Sequence, residues 1–222
     1  MAVPCLLLLA CGSPAADDSE AIGNEKVRAA VSLQAGSYDS AMTVSVDKAR
    51  GLITGIYADV LGDPAQGGAA CWVYFVADAM KAKGSTMPVQ IYDVGEGADS
   101  ADLGEKLEIV SPTKFSLKLK PTALPAGCAR FGWSPGDTVS FEESSPATEK
   151  KWAPHAMRRV SAKKAFCHDE KGVVQRPFVV AGDAFVVVDE RKGMVQGVYS
   201  QPANDAETVC WFKTTDLAPL AR

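Results

Sequence analysis

The sequence predicts an all-β protein made of two successive β-rich units, and three observations carry that prediction. Apolar residues fall in short Val/Ile/Phe/Tyr runs, several alternating with polar ones at a period of two. Thirteen Pro and 19 Gly punctuate the 222 residues at short intervals. A stretch rich in Ser, Pro and Lys near residue 148 interrupts the pattern, which then starts again. The resulting division is residues 1–10 as a leader, 11–24 as a tether, 25–142 as an N-terminal antiparallel β-barrel or sandwich, 143–154 as a linker and 155–222 as a small barrel.

In the first unit, Met42-Thr43-Val44-Ser45-Val46 alternates, residues 47–51 supply a turn, and residues 52–57 return as the second arm of a hairpin. Residues 71–76 form a largely buried strand, and residues 89–93, 107–110 and 115–120 each alternate. Short connections between such strands are the pattern of an antiparallel barrel or sandwich. Residues 77–83 leave room for one helical turn. In the second unit, strands are expected at 158–160, 165–167, 177–180, 184–188, 194–199 and 209–213, enough for a small barrel. Both units contain Val-Asp-x-x-x-Gly-φ-φ-x-Gly-φ-Tyr, at 46–57 and at 188–199. Shared turn chemistry, with Asp opening the turn and Gly supplying positive φ, accounts for the match better than a duplication.

The N-terminal run Val3-Pro4-Cys5-Leu6-Leu7-Leu8-Leu9-Ala10 is about eight residues long, well short of the roughly 20 a membrane-spanning helix needs. With Cys11 it resembles the lipobox of bacterial lipoproteins, and the small, acidic residues 12–20 suit a tether that cannot bury a core. The resemblance implies removal of residues 1–10, a lipid on Cys11, and anchoring to a membrane of the bacterial envelope, with Gly12 favouring the outer one. The balance of 23 basic and 27 acidic residues, net −4, contains no basic block, which argues against a nucleic-acid partner.

Once Cys5 leaves with the leader and Cys11 takes the lipid, Cys71, Cys128, Cys167 and Cys210 remain. None lies in a C-x-x-C pair and the chain has only two histidines, so neither a zinc site nor a cofactor is expected. An even count in an exported chain favours disulfides, and four cysteines admit three connectivities. If the units divide near residue 148, only Cys71–Cys128 with Cys167–Cys210 keeps each bond within one unit.

Residues 157–218 resemble the bacterial SH3-like domain. The positions that carry the likeness are Ala165-Phe166, an arm over 167–180, Gly182-Asp183, a Val-rich strand at 185–188, Gly197-Val198-Tyr199, Cys210-Trp211-Phe212-Lys213 and Asp216-Leu217. Cys210 stands where that family has Gly, and Cys167 directly follows the first strand; a bond between them would explain both departures. The resemblance implies a groove between the arm 167–181 and the loop 200–208, with His168, Arg176, Tyr199 and Trp211 as contacts. The first unit is more loosely similar to the small β-barrel domains that precede such modules, on Gly51, Gly55-Ile56-Tyr57, Cys71-Trp72-Val73-Tyr74-Phe75 and Gly127-Cys128.

Catalytic patterns fare poorly. Pairing Cys167 or Cys210 with His168, as in a cell-wall cysteine peptidase, needs a free thiolate that disulfides would remove. His168-Asp169-Glu170 on an extended segment sends adjacent side chains to opposite faces, which suits no metal. His155 falls in the linker, residues 99–105 read as a solvated acidic loop, and no nucleophile elbow, phosphate loop or dinucleotide fingerprint is present. Trp72, Tyr74, Trp133, Tyr199, Trp211 and Phe212 are candidate binding platforms, most of them expected in the core. The expectation is therefore a non-catalytic envelope lipoprotein whose SH3-like domain binds a cell-wall peptide or glycan, or a protein partner. An inhibitor or immunity lipoprotein directed at a toxin or hydrolase is the alternative, and a cysteine peptidase the third reading.

Overall fold

The computed structural model describes residues 32–39, 41–63, 66–93, 102–122, 124–144, 156–201 and 206–220. Cys11, the leader, the tether, His155 and residues 145–154 of the linker lie outside the described residues. All regular structure of any length is β, as the short alternating runs require.

The first sheet is an eight-stranded antiparallel meander in which each strand pairs with its sequence neighbours. It comprises β1 (Gly36–Tyr38), β2 (Met42–Asp47), β3 (Leu52–Leu61), β4 (Ala69–Asp78), β5 (Thr86–Asp93), β6 (Gly104–Ser111), β7 (Lys114–Leu119) and β8 (Thr138–Glu142). A short seam joins the two ends of the sheet into a nearly closed barrel. Tyr38 bridges Glu143, the Asp39 N–H donates to the Glu142 carbonyl at 3.0 Å, and the Ser144 N–H donates to the Ser37 carbonyl at 3.2 Å. Glu143 and Ser144, assigned to the linker by composition, are thus part of the closure. β1 and β8 have no counterpart among the expected strands: one is three residues long, and the other sits within a run rich in Pro, Gly and Ser.

Alternation fills the barrel interior with Met42, Val44, Ile53, Val73, Phe75, Ile91, Leu107, Phe115, Leu117 and Phe141, all buried. Aromatic rings interlock there, with Phe115 stacked on Phe141 at 5.1 Å and edge-on to Tyr38 at 5.2 Å. The β7–β8 connection folds back over the barrel, where its 3-10 turn Cys128–Phe131 is bonded to β4 through Cys71–Cys128. Trp133 follows and packs against Tyr57 at 5.1 Å, so this tryptophan is core rather than a platform. The expected helical turn is the 3-10 turn Ala79–Lys81, opened by Asp78, whose side chain accepts from the Met80 N–H.

The second sheet holds β9 (Ala156–Val160), β10 (Lys164–His168), β11 (Val174–Val180), β12 (Ala184–Arg191), β13 (Met194–Gln201), β14 (Ala206–Lys213) and β15 (Leu217–Pro219). Their order is β11-β10-β14-β13-β12-β9-β15, a curved half-barrel around Val160, Ala165, Val179, Phe185, Val187, Val195 and Phe212. The second disulfide joins Cys167 to Cys210 inside it. The first bond therefore ties β4 to the β7–β8 connection and the second joins β10 to β14, so neither links the two sheets. They close loops of 57 and 43 residues, worth about 4 kcal/mol apiece in the chain-entropy model.

The two sheets share a third apolar cluster. Ile56, Tyr74 and Val76 on the outer face of β3 and β4 pack against Met157, Ala184, Val186 and Leu220 of the half-barrel. β4 is consequently covered on both faces, which is why residues 71–76 read as one continuous apolar run rather than as an alternation.

The sequence pattern shared by the two units has a physical cause beyond the turns. Asp47 accepts from the Ala49 and Arg50 N–H groups at 3.1 and 3.0 Å, and Gly51 and Gly193 close the turns with φ of +64° and +76°. The second glycine of each motif lies beneath a phenylalanine. A Cβ at Gly55 would stand 2.1 Å from the Phe75 ring, and one at Gly197 would stand 2.4 Å from the Phe185 ring. Each ring lies across a strand at the one residue with no side chain, so two separate sheets use the same packing device. Gly55→Ala and Gly197→Ala are each expected to destabilise by about 1–3 kcal/mol through overpacking. Gly84→Ala, where a Cβ meets nothing but φ is +64°, separates backbone strain from this effect. Thermal unfolding of the three variants, with Phe75→Leu beside Gly55→Ala to restore room, is the measurement.

Candidate binding groove

The groove forms because the β10–β11 hairpin stands out from the half-barrel as an arm. Its tip is set by Asp169, whose carboxylate accepts from the Lys171 and Val173 N–H groups, both at 2.9 Å, while Gly172 adopts φ of +81°. At its base, Asp183 holds the Val180 N–H at 2.8 Å and donates its own N–H to the Val180 carbonyl at 3.1 Å. Between these clamps, β10 and β14 are paired at a single position, His168 opposite Trp211. The neighbouring Cys167–Cys210 bond fastens the arm to the sheet there.

A small, shallow cleft open to solvent lies beside the arm. Pro177, Phe178 and Val179 of β11 form one wall, Tyr199 and Thr208 the other, and the disulfide with Phe212 lies beneath. Its place between the arm and the 199–208 region is where the sequence resemblance puts a groove. Residues 202–205 of the opposing loop lie outside the described residues.

The four expected contacts separate. Tyr199 lines the cleft, half-buried, and its ring also meets Trp72 of the first barrel at 5.9 Å. Arg176 is exposed on β11. Trp211 is on the opposite face of β14 from Cys210 and Phe212, because strand side chains alternate. There it is buried beneath the Arg191 guanidinium, 3.7 Å from its ring centre. Arg191 also donates to the Glu170 carbonyl at the arm's tip. His168 is buried beside Trp211, and its Nδ1 lies 3.2 Å from the Trp211 carbonyl oxygen. His168 and Trp211 thus tie the arm to the sheet beside its tip.

Phe178, Pro177 and Thr208 are the lining residues that sequence reasoning passed over. A period-two reading of Phe178-Val179-Val180 puts Val179 on the core face, beside the cleft, while Phe178, which only borders the cleft, and Val180 face the other way, both more than 40% exposed. Among the expected platforms, Tyr74 and Phe212 are core, and Trp72 is half-buried between the two sheets.

Neither sulfur at the cleft is a free thiol, and among the described residues no group of three His, Cys, Asp or Glu side chains gathers as metal ligands. Two titratable groups are perturbed. Burial pushes the Tyr199 phenol up to about 12, with the negative charge of Asp183 adding to the effect. Burial also raises Asp183 above the ordinary carboxylate range, with the Val180 N–H opposing it. Neither group forms the nucleophile–base pair that covalent chemistry requires. In comparisons with known proteins, no family model and no curated protein matches the chain.

The raised Asp183 has a measurable consequence. A carboxyl whose folded-state pKa exceeds its unfolded value stabilises the fold in acid and loses that contribution as pH rises through the raised value. Asp183→Asn keeps an oxygen for the Val180 N–H and does not titrate. Its melting temperature relative to the parent chain is therefore expected to climb between about pH 3 and about pH 7. A flat difference across that range would remove Asp183 from the account.

Proposed function

We propose that this chain is a non-catalytic, lipid-anchored binding protein of the bacterial cell envelope, and that the groove beside the β10–β11 arm is its recognition site. The observation that carries the proposal is the groove itself: an apolar cleft between a protruding hairpin and the body of a sheet, floored by a disulfide. A concave site lined by apolar and aromatic side chains, with no reactive group, is suited to holding a ligand rather than transforming it. Two disulfides, neither of them between the two sheets, fit a chain that matures outside the reducing cytosol, in keeping with the lipobox-like residues 8–11.

The partner is a cell-wall fragment or an envelope protein. The apolar wall formed by Pro177, Phe178 and Val179 favours a polypeptide over a glycan, since sugar recognition needs polar groups beside the stacking rings, and this wall offers backbone alone. That feature also supports the inhibitor or immunity alternative, in which the ligand is a toxin or hydrolase. The membrane enters only through the lipid on Cys11.

Two experiments test the proposal. Labelling of cells with a palmitate analogue should mark the chain, and Cys11→Ser should abolish the label and release the protein from the membrane fraction. Capture from a solubilised envelope, run beside sedimentation with purified peptidoglycan, should then weaken about tenfold in Tyr199→Ala. Thr208→Arg, which blocks the cleft without touching Trp72, should do the same. Unchanged capture in both variants, each melting like the parent, removes the groove from the function.

A further inference from the structure

The natural fate of a sheet edge is to be closed, shortened or covered, because unpaired N–H and C=O groups recruit other strands. This protein treats its edges unequally. The first barrel joins β1 to β8 through the Tyr38–Glu143 seam. In the half-barrel, β15 is a three-residue strand ending in Pro219. Among the described residues, β11 is the long free edge: seven residues, of which Val179 alone is buried.

The edge is occupied at one end, by Asp183, and open before it. Both polar backbone groups of Val180 are bonded to Asp183 and so point away from β10. Alternation in an antiparallel pair then turns the N–H and C=O of Phe178 outward as well. Pro177, one residue earlier, has its missing N–H on the β10 side, beside the register shift between Phe166 and His168, and leaves the outward edge intact.

The side chains around this edge are apolar on one side and basic at the margins. Phe166 and Phe178 lie opposite each other with ring centres 6.1 Å apart, and both are exposed, as is Val180. Lys164 covers the Phe178 ring at 4.3 Å. Lys163, Lys171 and Arg176 make no ion pair among the described residues. Two nearby carboxylates, Asp169 and Asp183, are engaged by backbone amides, which leaves Glu170 as the exposed acid of the arm. A basic fringe on a chain of net charge −4 selects a partner of opposite sign.

We propose that β11 is a strand-addition site that takes an extended polypeptide segment with alternating apolar and acidic residues. The segment adds to the free edge as a further strand. One set of its side chains enters the cleft toward Tyr199 and Thr208; the other lies on Phe178 and Phe166, with its carboxylates reaching Lys164 and Arg176. This mode of binding takes affinity from main-chain hydrogen bonds and selectivity from alternate side chains. A second copy of the chain fits less well, because pairing two β11 edges brings the two basic fringes together. The inference rests on the groove reading above and specifies how that groove is used.

The probe is a fluorescein-labelled nonapeptide alternating glutamate with valine, titrated against the oxidised full chain by fluorescence anisotropy. Saturable binding is expected. The same peptide N-methylated at alternate amides, and a peptide alternating lysine with valine, are each expected to bind at least tenfold more weakly. Phe178→Asp and the pair Lys164→Glu with Arg176→Glu should each weaken the glutamate peptide at least tenfold, while Val110→Asp, an exposed apolar site on the first barrel, should not. The substituted positions on the arm are exposed, and matched melting curves verify that each variant folds. No saturable binding, equal binding of the N-methylated peptide, or a dimer that Phe178→Asp dissolves in sedimentation would each overturn the proposal. If the peptide fails while envelope capture remains sensitive to Thr208→Arg, strand addition falls and the groove reading stands. If capture is insensitive as well, both fall.

Discussion

The arm of the half-barrel is attached to its sheet by very little hydrogen bonding. β13 and β14 are paired over eight positions, whereas β10 meets β14 at His168–Trp211 alone. Beside that one pair lies the Cys167–Cys210 bond, and on the opposite face Arg191 lies over Trp211 while donating to the Glu170 carbonyl. The covalent bond and this polar clamp together fix the distance between β11 and Tyr199, which is the width of the cleft. A hairpin anchored in this way beside its turn presents β11 to solvent as a defined edge. The cost is dependence on an oxidised environment, since loss of the bond leaves the arm held by one pair and a few side-chain contacts.

The first barrel contributes differently. Its interior is filled by its own side chains, and Trp133 and the Cys71–Cys128 bond hold the β7–β8 connection over it. What it offers the second sheet is a stiff outer face: Ile56, Tyr74 and Val76 are as buried as interior residues, although they point away from the barrel axis. Trp72 extends that contact to Tyr199, so one wall of the cleft is buttressed from outside its own sheet. Rigid support of this kind lowers the ordering cost of binding, because the wall is in place before the ligand arrives.

Much of the fold was legible because its signals are local. Asp47–Gly51 is a turn by residue chemistry alone, and the strands beside it follow from alternation. The matching turn expected at Asp189–Gly193 is shorter, because Asp189, Glu190 and Arg191 continue β12 opposite Gln196, Val195 and Met194 and only Lys192-Gly193 turns the chain. The pairing Cys71–Cys128 with Cys167–Cys210 needed only a division of the chain into two units. What escaped depends on long-range partners. β1 is a strand through its pairing with β2 and β8 through its pairing with β7. The seam at Tyr38–Glu143 joins them across about a hundred residues, and neither carries an apolar run strong enough to announce itself. The site was half legible for a similar reason. A cleft with Tyr199 in its lining lies in the region the resemblance implies, but Trp211 and His168 are turned inward, one by the pleat of β14 and the other at the register shift in β10. No composition argument distinguishes a buried tryptophan from a stacking platform; the face on which its strand neighbours lie does.

The same alternation that turns Trp211 inward gives the exposed face of β11 its meaning. Val179 points inward, and Phe178 and Val180 point outward. Solvent-facing positions of an edge strand normally carry charge or are short-lived as edges, because an apolar free edge is an aggregation hazard. Here Lys164 lies over Phe178, and Arg176 and Lys171 flank the strand, so like-charge repulsion discourages copies of the chain from pairing with one another. That protection is selective by sign. A segment carrying acidic residues, as proposed for this edge, would meet attraction at the positions where a second copy meets repulsion, so the same charges that guard against self-association would admit a ligand of the opposite charge.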